Sequence, residues 1–127
     1  MELQKEQISS LQMHNLHFEA IHFTASGNQP SQPTKMTVAF HVNKKIEDRN
    51  RMNVELECNI DIPEIASVQV KLAAEFKTDD DMPVEKMLKN ALAIMFPYLR
   101  SQVTLITTQP NFKPIILPVV NINQLVK

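Results

Sequence analysis

Residues 51–62 read Arg51-Met52-Asn53-Val54-Glu55-Leu56-Glu57-Cys58-Asn59-Ile60-Asp61-Ile62, alternating polar with apolar without a break. Successive side chains of a strand point to opposite faces. Met52, Val54, Leu56, Cys58, Ile60 and Ile62 therefore share one face, and Arg51, Asn53, Glu55, Glu57, Asn59 and Asp61 the other. Six matches on each face define a half-buried strand whose polar side meets solvent. The flanking sequence repeats the pattern. Upstream, Met36, Val38, Phe40 and Val42 oppose Lys35, Thr37, Ala39, His41 and Asn43, and a charged turn over Lys44 to Asn50 leads into the decisive strand. Downstream, Pro63 and Glu64 turn the chain into a run with Val68, Val70, Leu72, Ala74 and Phe76 on one face. Such short links imply antiparallel neighbours.

Further out, Leu11 to Ala25 also alternates but changes phase twice: Leu11 and Met13, then Leu16 and Phe18, then Ile21 and Phe23. Each change sends the apolar residues to the opposite face unless a bulge intervenes, so a long irregular strand is expected. Ser26 to Pro33 is a loop, since its two prolines cannot donate ladder hydrogen bonds. After Asp79, Asp80 and Asp81 the period becomes helical. Pro83 suits a helix start, and Leu88, Leu92, Met95, Leu99, Val103 and Ile106 recur at three- and four-residue spacing. Pro97 inside that stripe predicts a kink or two abutting helices. Ile94, Tyr98 and Leu105 add a second apolar edge, which calls for a partner surface. Gln109-Pro110 ends the helix, residues 112–120 are extended, and Asn121 caps a last short turn. The fold class is α+β: a four-stranded antiparallel sheet with the C-terminal helices packed on one face.

A length of 127 residues suits one domain over 1–127, with residues 1–10 as a disordered lead-in. A net charge of −1 attracts neither nucleic acid nor an anionic membrane. One glycine, Gly27, is too few for a phosphate-cradling loop. One cysteine, Cys58, precludes an intrachain disulfide or a thiolate-rich metal centre and fits the reducing cytoplasm. The amino terminus lacks the apolar stretch of a secretory signal. No apolar run approaches the ~20 residues a bilayer requires, so no membrane insertion is expected.

Candidate chemistry is sparse. His14 and His17 are three apart, a spacing that places strand side chains on opposite faces and binds metal poorly. Cys58 lies in the inward phase and reads as a small buried hydrophobe. Asp79 to Asp81 lacks the glycine and distal glutamate of a calcium loop. The methionines mostly fit core phases. No cofactor, metal or catalytic group is expected. The remaining feature is Phe112-Lys-Pro-Ile-Ile-Leu-Pro-Val-Val120, apolar, unable to form regular helix and too proline-broken for a central strand. It is equally readable as a loop sealing the core or as the wall of an apolar groove.

The C-terminal half resembles the SecB family of protein-export chaperones. Met95-Phe96-Pro97-Tyr98-Leu99-Arg100 resembles that family's Leu-Phe-Pro-Tyr-Ala-Arg, and Phe112 to Asn121 its Phe-Pro-Pro-Leu-(x)-Leu-Ala-Pro-Val-Asn connection. In the amino half, Leu16-His17-Phe18-Glu19-Ala20 is similar to Ile-Ser-Phe-Glu-Ala and Ala74-Glu75-Phe76 to Cys-Glu-Val. The likeness covers roughly residues 11 to 126 and is strongest in the last third. It implies a dimer of dimers that holds unfolded precursor chains in apolar surface grooves. Phe96, Tyr98, Phe112, Ile115 and Leu117 would line or support the groove, and Pro97, Arg100, Pro118 and Asn121 would fix its geometry. Family members that deliver cargo to the SecA motor present an acidic sheet face and usually an acidic tail. Glu19 and Glu75 match that face as possible motor contacts, but Asn15 replaces an aspartate, the sequence ends at Lys127 without an acidic tail, and net charge is near zero. Coupling to the motor is therefore expected to be weak.

The functional expectation is an ATP-independent holdase for unfolded or precursor polypeptides. One alternative is a SecB-like chaperone dedicated to the antitoxin of a toxin-antitoxin pair. Another, of a different class, is a non-catalytic oligomeric adaptor for one folded partner. A metal-dependent enzyme built on the histidines would need at least three of them to converge with a carboxylate, which this spacing does not suggest.

Overall fold

The strand with the cleanest alternation lies inside the sheet. The computed structural model describes residues 11–28 and 35–126. They form β1 (Leu11–Ala25), β2 (Thr37–Asp48), β3 (Arg51–Ile62), β4 (Ala66–Thr78), α1 (Val84–Thr107) and α2 (Ile122–Leu125). The sheet order is β1-β4-β3-β2, with every neighbouring pair antiparallel. β3 and β4 are central, and Leu56 stands directly opposite Leu72, both fully buried. The lead-in expected over residues 1–10 lies outside the described residues, as does part of the β1–β2 loop.

β1 reconciles its changes of phase with two register shifts against β4, between His14 and His17 and between Phe18 and Ala20. Met13, Phe18, Ile21 and Phe23 consequently face Phe76, Leu72, Val70 and Val68, all on the inner side. Asn15, at the first shift, has φ 56°, a left-handed conformation that asparagine tolerates better than most residues. The same bulge corrects the histidine argument. His14 and His17 face Glu75 and Ala73, so both lie on the solvent side rather than on opposite faces. Among the described residues no group of three or more His, Cys, Asp or Glu side chains is arranged to hold a metal ion.

β2 is longer than the sequence pattern predicts. Lys44, Lys45 and Ile46 do not turn but continue the ladder opposite Val54, Asn53 and Met52, and the turn contracts to Arg49 and Asn50. An edge strand places long charged side chains in water while its backbone still pairs inward, so the charge run does not end the strand. The β3–β4 turn is stitched to the end of β1: Ser26 donates its backbone N–H to Ile65 O at 2.9 Å and its hydroxyl to Glu64 O at 2.8 Å.

α1 lies on the inner face and buries Met87, Leu88, Ala91, Leu92, Met95, Phe96, Leu99, Val103 and Thr107. It is one continuous helix through Pro97, not two abutting ones. Pro97 and Ala93, whose carbonyl loses its helical donor, are both exposed, so water can satisfy that carbonyl. Pro83 occupies the cap position, its carbonyl accepting the Met87 N–H at 2.9 Å. Asn121 caps α2 as expected, its Oδ1 accepting the Asn123 N–H at 3.0 Å. Cys58 is fully buried, and burial pushes its thiol up to about 12, leaving it a neutral core side chain. No described helix is long and apolar enough to cross a membrane.

Candidate functional site

From Phe112 to Val120 the chain crosses between α1 and α2 as an extended strap without regular secondary structure. Pro114 and Pro118 hold their own φ angles and keep Lys113 and Leu117 out of the helical region, so side chains alternate as in a strand over residues 115–118, a pattern that Val119 leaves. Ile115 and Leu117 point into the core, where Leu117 has no exposed surface. Ile116 and Val119 point outward and are 71% and 87% exposed. Phe112 is half-buried, its ring edge-on to Phe23 of β1 with centroids 5.0 Å apart.

Beside the strap opens a cleft of about 490 Å³, lined chiefly by Met36, Ile62, Ile65, Phe112, Ile115 and Ile116. Its far wall is the β3–β4 turn that Ser26 stitches to β1, and its near wall is the proline-stiffened strap.

The sequence-derived residues divide across this geometry. Phe112 and Ile115 line the cleft. Phe96 is buried instead, packed on Phe40 of β2 with ring centroids 5.8 Å apart, and Leu117 is core. Tyr98 lies outside the cleft, 48% exposed on the α1 edge that also carries Leu105, itself 67% exposed. Met36, Ile62, Ile65 and Ile116 were not singled out from sequence. Alternation carried the signal for Ile116, since a strap that buries Ile115 and Leu117 must expose the residue between them.

The outer face of the sheet holds charges of both signs. Lys71 lies 3.4 Å from Glu55 and 3.5 Å from Glu19, and Arg51 lies 3.0 Å from Glu75. Glu55 first and then Glu19 raise the pKa of Lys71, and Glu75 raises that of Arg51, so both cations stay charged beside their partners. His17 donates from Nδ1 to Asn15 O at 2.7 Å and approaches Glu19 at 3.7 Å.

A helix-backed sheet with a proline-stiffened apolar strap meets the family expectation, and the family model described as preprotein translocase subunit SecB matches residues 2–127. The chain belongs to the SecB family. A search of curated proteins gives no match. Among solved structures, this SecB-family chain is similar to a SecB-like chaperone from Mycobacterium tuberculosis, determined in complex with a ChAD peptide from the HigA1 antitoxin. The TM-score is 0.69 at 18% identity, covering 87% of this chain and 91% of that one. It is also similar to a protein of unknown function from Streptococcus agalactiae, with a TM-score of 0.47 at 12% identity over 86% of this chain and 97% of that one. The first likeness establishes the shared fold: a four-stranded antiparallel sheet with a C-terminal helix packed on it. The family is one of chaperones, generally without enzymatic activity.

The strap's alternation separates two neighbouring substitutions. Leu117→Asp buries an unpaired carboxylate and is expected to unfold the protein or lower its melting temperature steeply. Ile116→Asp places the same group in water and should shift stability by no more than about 0.5 kcal/mol. Thermal melts of both variants, followed by circular dichroism, check the assignment; equal destabilisation would refute it.

Proposed function

We propose that this SecB-family chain is an ATP-independent holdase, one domain over residues 1–127, that binds unfolded or precursor polypeptides in the cytoplasm without catalysis or cofactor. The observation that carries this reading is the exposed apolar surface of the strap, Ile116 and Val119, beside the cleft that Phe112 and Ile115 line. Filling such a surface with one large apolar side chain contributes ~1.5–3 kcal/mol, and several filled together offset the ordering entropy of a flexible chain. The prolines reduce the cost on the chaperone's side, because the strap is already extended. Phe96 and Leu117 act from beneath as supports, and Tyr98 contributes from the adjoining helix edge.

Dedication to an antitoxin is a second reading, and the likeness to the Mycobacterium tuberculosis chaperone bound to an antitoxin peptide favours it. A non-catalytic adaptor for one folded partner would not tolerate unrelated unfolded chains. The purified protein is expected to suppress aggregation of unrelated unfolded polypeptides without ATP, and Ile116→Asp to weaken that suppression while the fold persists. Light scattering of thermally unfolding client proteins measures both. Suppression confined to a single client would support the dedicated reading, and none at all would defeat the holdase.

The same reading includes a homo-oligomer, a dimer of dimers, because the α1 edge of Tyr98 and Leu105 stays exposed in one chain after the opposite stripe is buried on its own sheet. Leu105→Asp is expected to lower the mass measured by multi-angle light scattering. A monomeric wild type at micromolar concentration would overturn the assembly.

Coupling to a SecA-type motor is read as weak. Glu19 and Glu75 already have cationic partners on their own sheet, Lys71 and Arg51, and ion pairs at the surface are screened by water and salt, so a motor gains little by replacing those partners. Charge reversal at Glu75 should leave motor binding nearly unchanged in a pull-down at low salt. Tight, salt-sensitive binding lost in Glu75→Lys would contradict this.

A further inference from the structure

The strap's backbone is clasped by two threonines of α1, and nothing in the chaperone reading assigns them a role. Thr107, at the last turn of α1, is fully buried. Its hydroxyl donates to Val103 O at 2.7 Å and accepts the Ile115 backbone N–H at 2.9 Å. One turn earlier, the Thr104 hydroxyl donates to Ile115 O at 2.9 Å. A hydroxyl has one proton to give and two lone pairs, so each threonine is used within its capacity. Between them they replace, for one residue, both hydrogen bonds that a neighbouring strand would supply.

The consequence is a matter of register. An extended segment exchanges its two faces when it slips by one residue. Prolines at 114 and 118 make the strap extended but do not say which of its isoleucines points inward, and Ile115 and Ile116 have identical side chains. The direction is set where both backbone groups of Ile115 are held against α1. That clasp sends Ile115 and Leu117 into the core, and Ile116 toward the cleft and solvent.

Resting on the holdase reading, we propose that Thr104 and Thr107 are positioning residues for client binding, setting the register in which the strap presents Ile116. They touch no client themselves. Their hydroxyls are what the strap requires, so serine should substitute for threonine, and valine, which keeps the shape and loses the hydrogen bonds, should not.

The test uses the full-length chain and fluorescein-labelled, reduced and carboxymethylated α-lactalbumin as an unfolded probe, with affinity read by fluorescence anisotropy. The double variant T104V/T107V is expected to bind about tenfold more weakly or worse, as loss of buried hydrogen bonds allows, while T104S/T107S stays within about threefold of wild type. Hydrogen exchange at the Ile115 amide should accelerate in the valine variant and not in the serine variant. If the double valine variant does not fold, T104V alone, which removes only the bond to Ile115 O, should still weaken binding and be rescued by T104S. Wild-type affinity in a folded valine variant would overturn the inference while leaving the holdase standing, and so would equal losses in the valine and serine variants. Failure of the wild-type chain to bind the probe would overturn both.

Discussion

The apolar contact between the inner face of β3 and β4 and the Leu92/Met95/Leu99 stripe of α1 is the constraint on which the rest of the molecule depends. Each partner is two-sided. The sheet has a solvated outer face, so its inner face must be covered. The helix supplies the cover, and its buried residues form one stripe that ends at Thr107. A 24-residue helix is about 36 Å long, enough to cross the sheet from the Thr78 end toward the β3–β4 turn. Once it lies there its last turn stands beside the strap, and the threonines are in reach of Ile115. The cleft, the strap's register and the exposed helix edge all follow from where that contact places α1.

The contact also leaves a residue. A helix with apolar side chains on two edges can bury only one of them on a single sheet, and Tyr98 and Leu105 are what remains. Burying their edge as well would require a second layer on the far side of α1, which the described residues of one chain do not provide. An exposed leucine alone would mean little, since much of any protein's surface is apolar. An exposed leucine and tyrosine on one helical edge define a surface with a direction.

The regular parts of this architecture were legible in the sequence because period 2 and period 3.6 are local. Leu56, Leu72 and Leu92 declare their environments by their neighbours alone. Even the erratic phases of β1 were a correct signal of bulges, although the bulge at Asn15 then undid the face assignment of His14 and His17. Charge misled at Lys44 and Lys45, where solvation of long side chains on an edge strand was mistaken for a turn. Of the two outcomes that Pro97 allowed, a kink or two abutting helices, the second does not occur, because the orphaned carbonyl of Ala93 lies where water can reach it. The cleft was legible only in part. Phe112 and Ile115 belong to a recognisable motif, whereas Met36, Ile62 and Ile65 come from two distant turns that meet only after the sheet has formed. No local pattern encodes that meeting.

From sequence the strap admits two readings, core seal or groove wall; burial of Ile115 and Leu117 meets the first, and exposure of Ile116 leaves room for the second, which is the proposal above. A segment that alternates sides can do both at once, provided its register is fixed, with Leu117 sealing and Ile116 displaying. The arrangement has an energetic logic. A purely solvent-facing apolar loop would collapse onto the nearest apolar surface and hide what it is meant to offer. A strap pinned through alternate residues cannot collapse without withdrawing Leu117 from the core, and emptying a leucine-sized site costs roughly 2–5 kcal/mol. The middle of that range, about 3.5 kcal/mol, lies above the middle of the ~1.5–3 kcal/mol to be gained by burying Ile116. Exposure of Ile116 is thereby held in place by core packing, and under the proposed holdase reading a client covering it would gain its burial without disturbing the fold beneath.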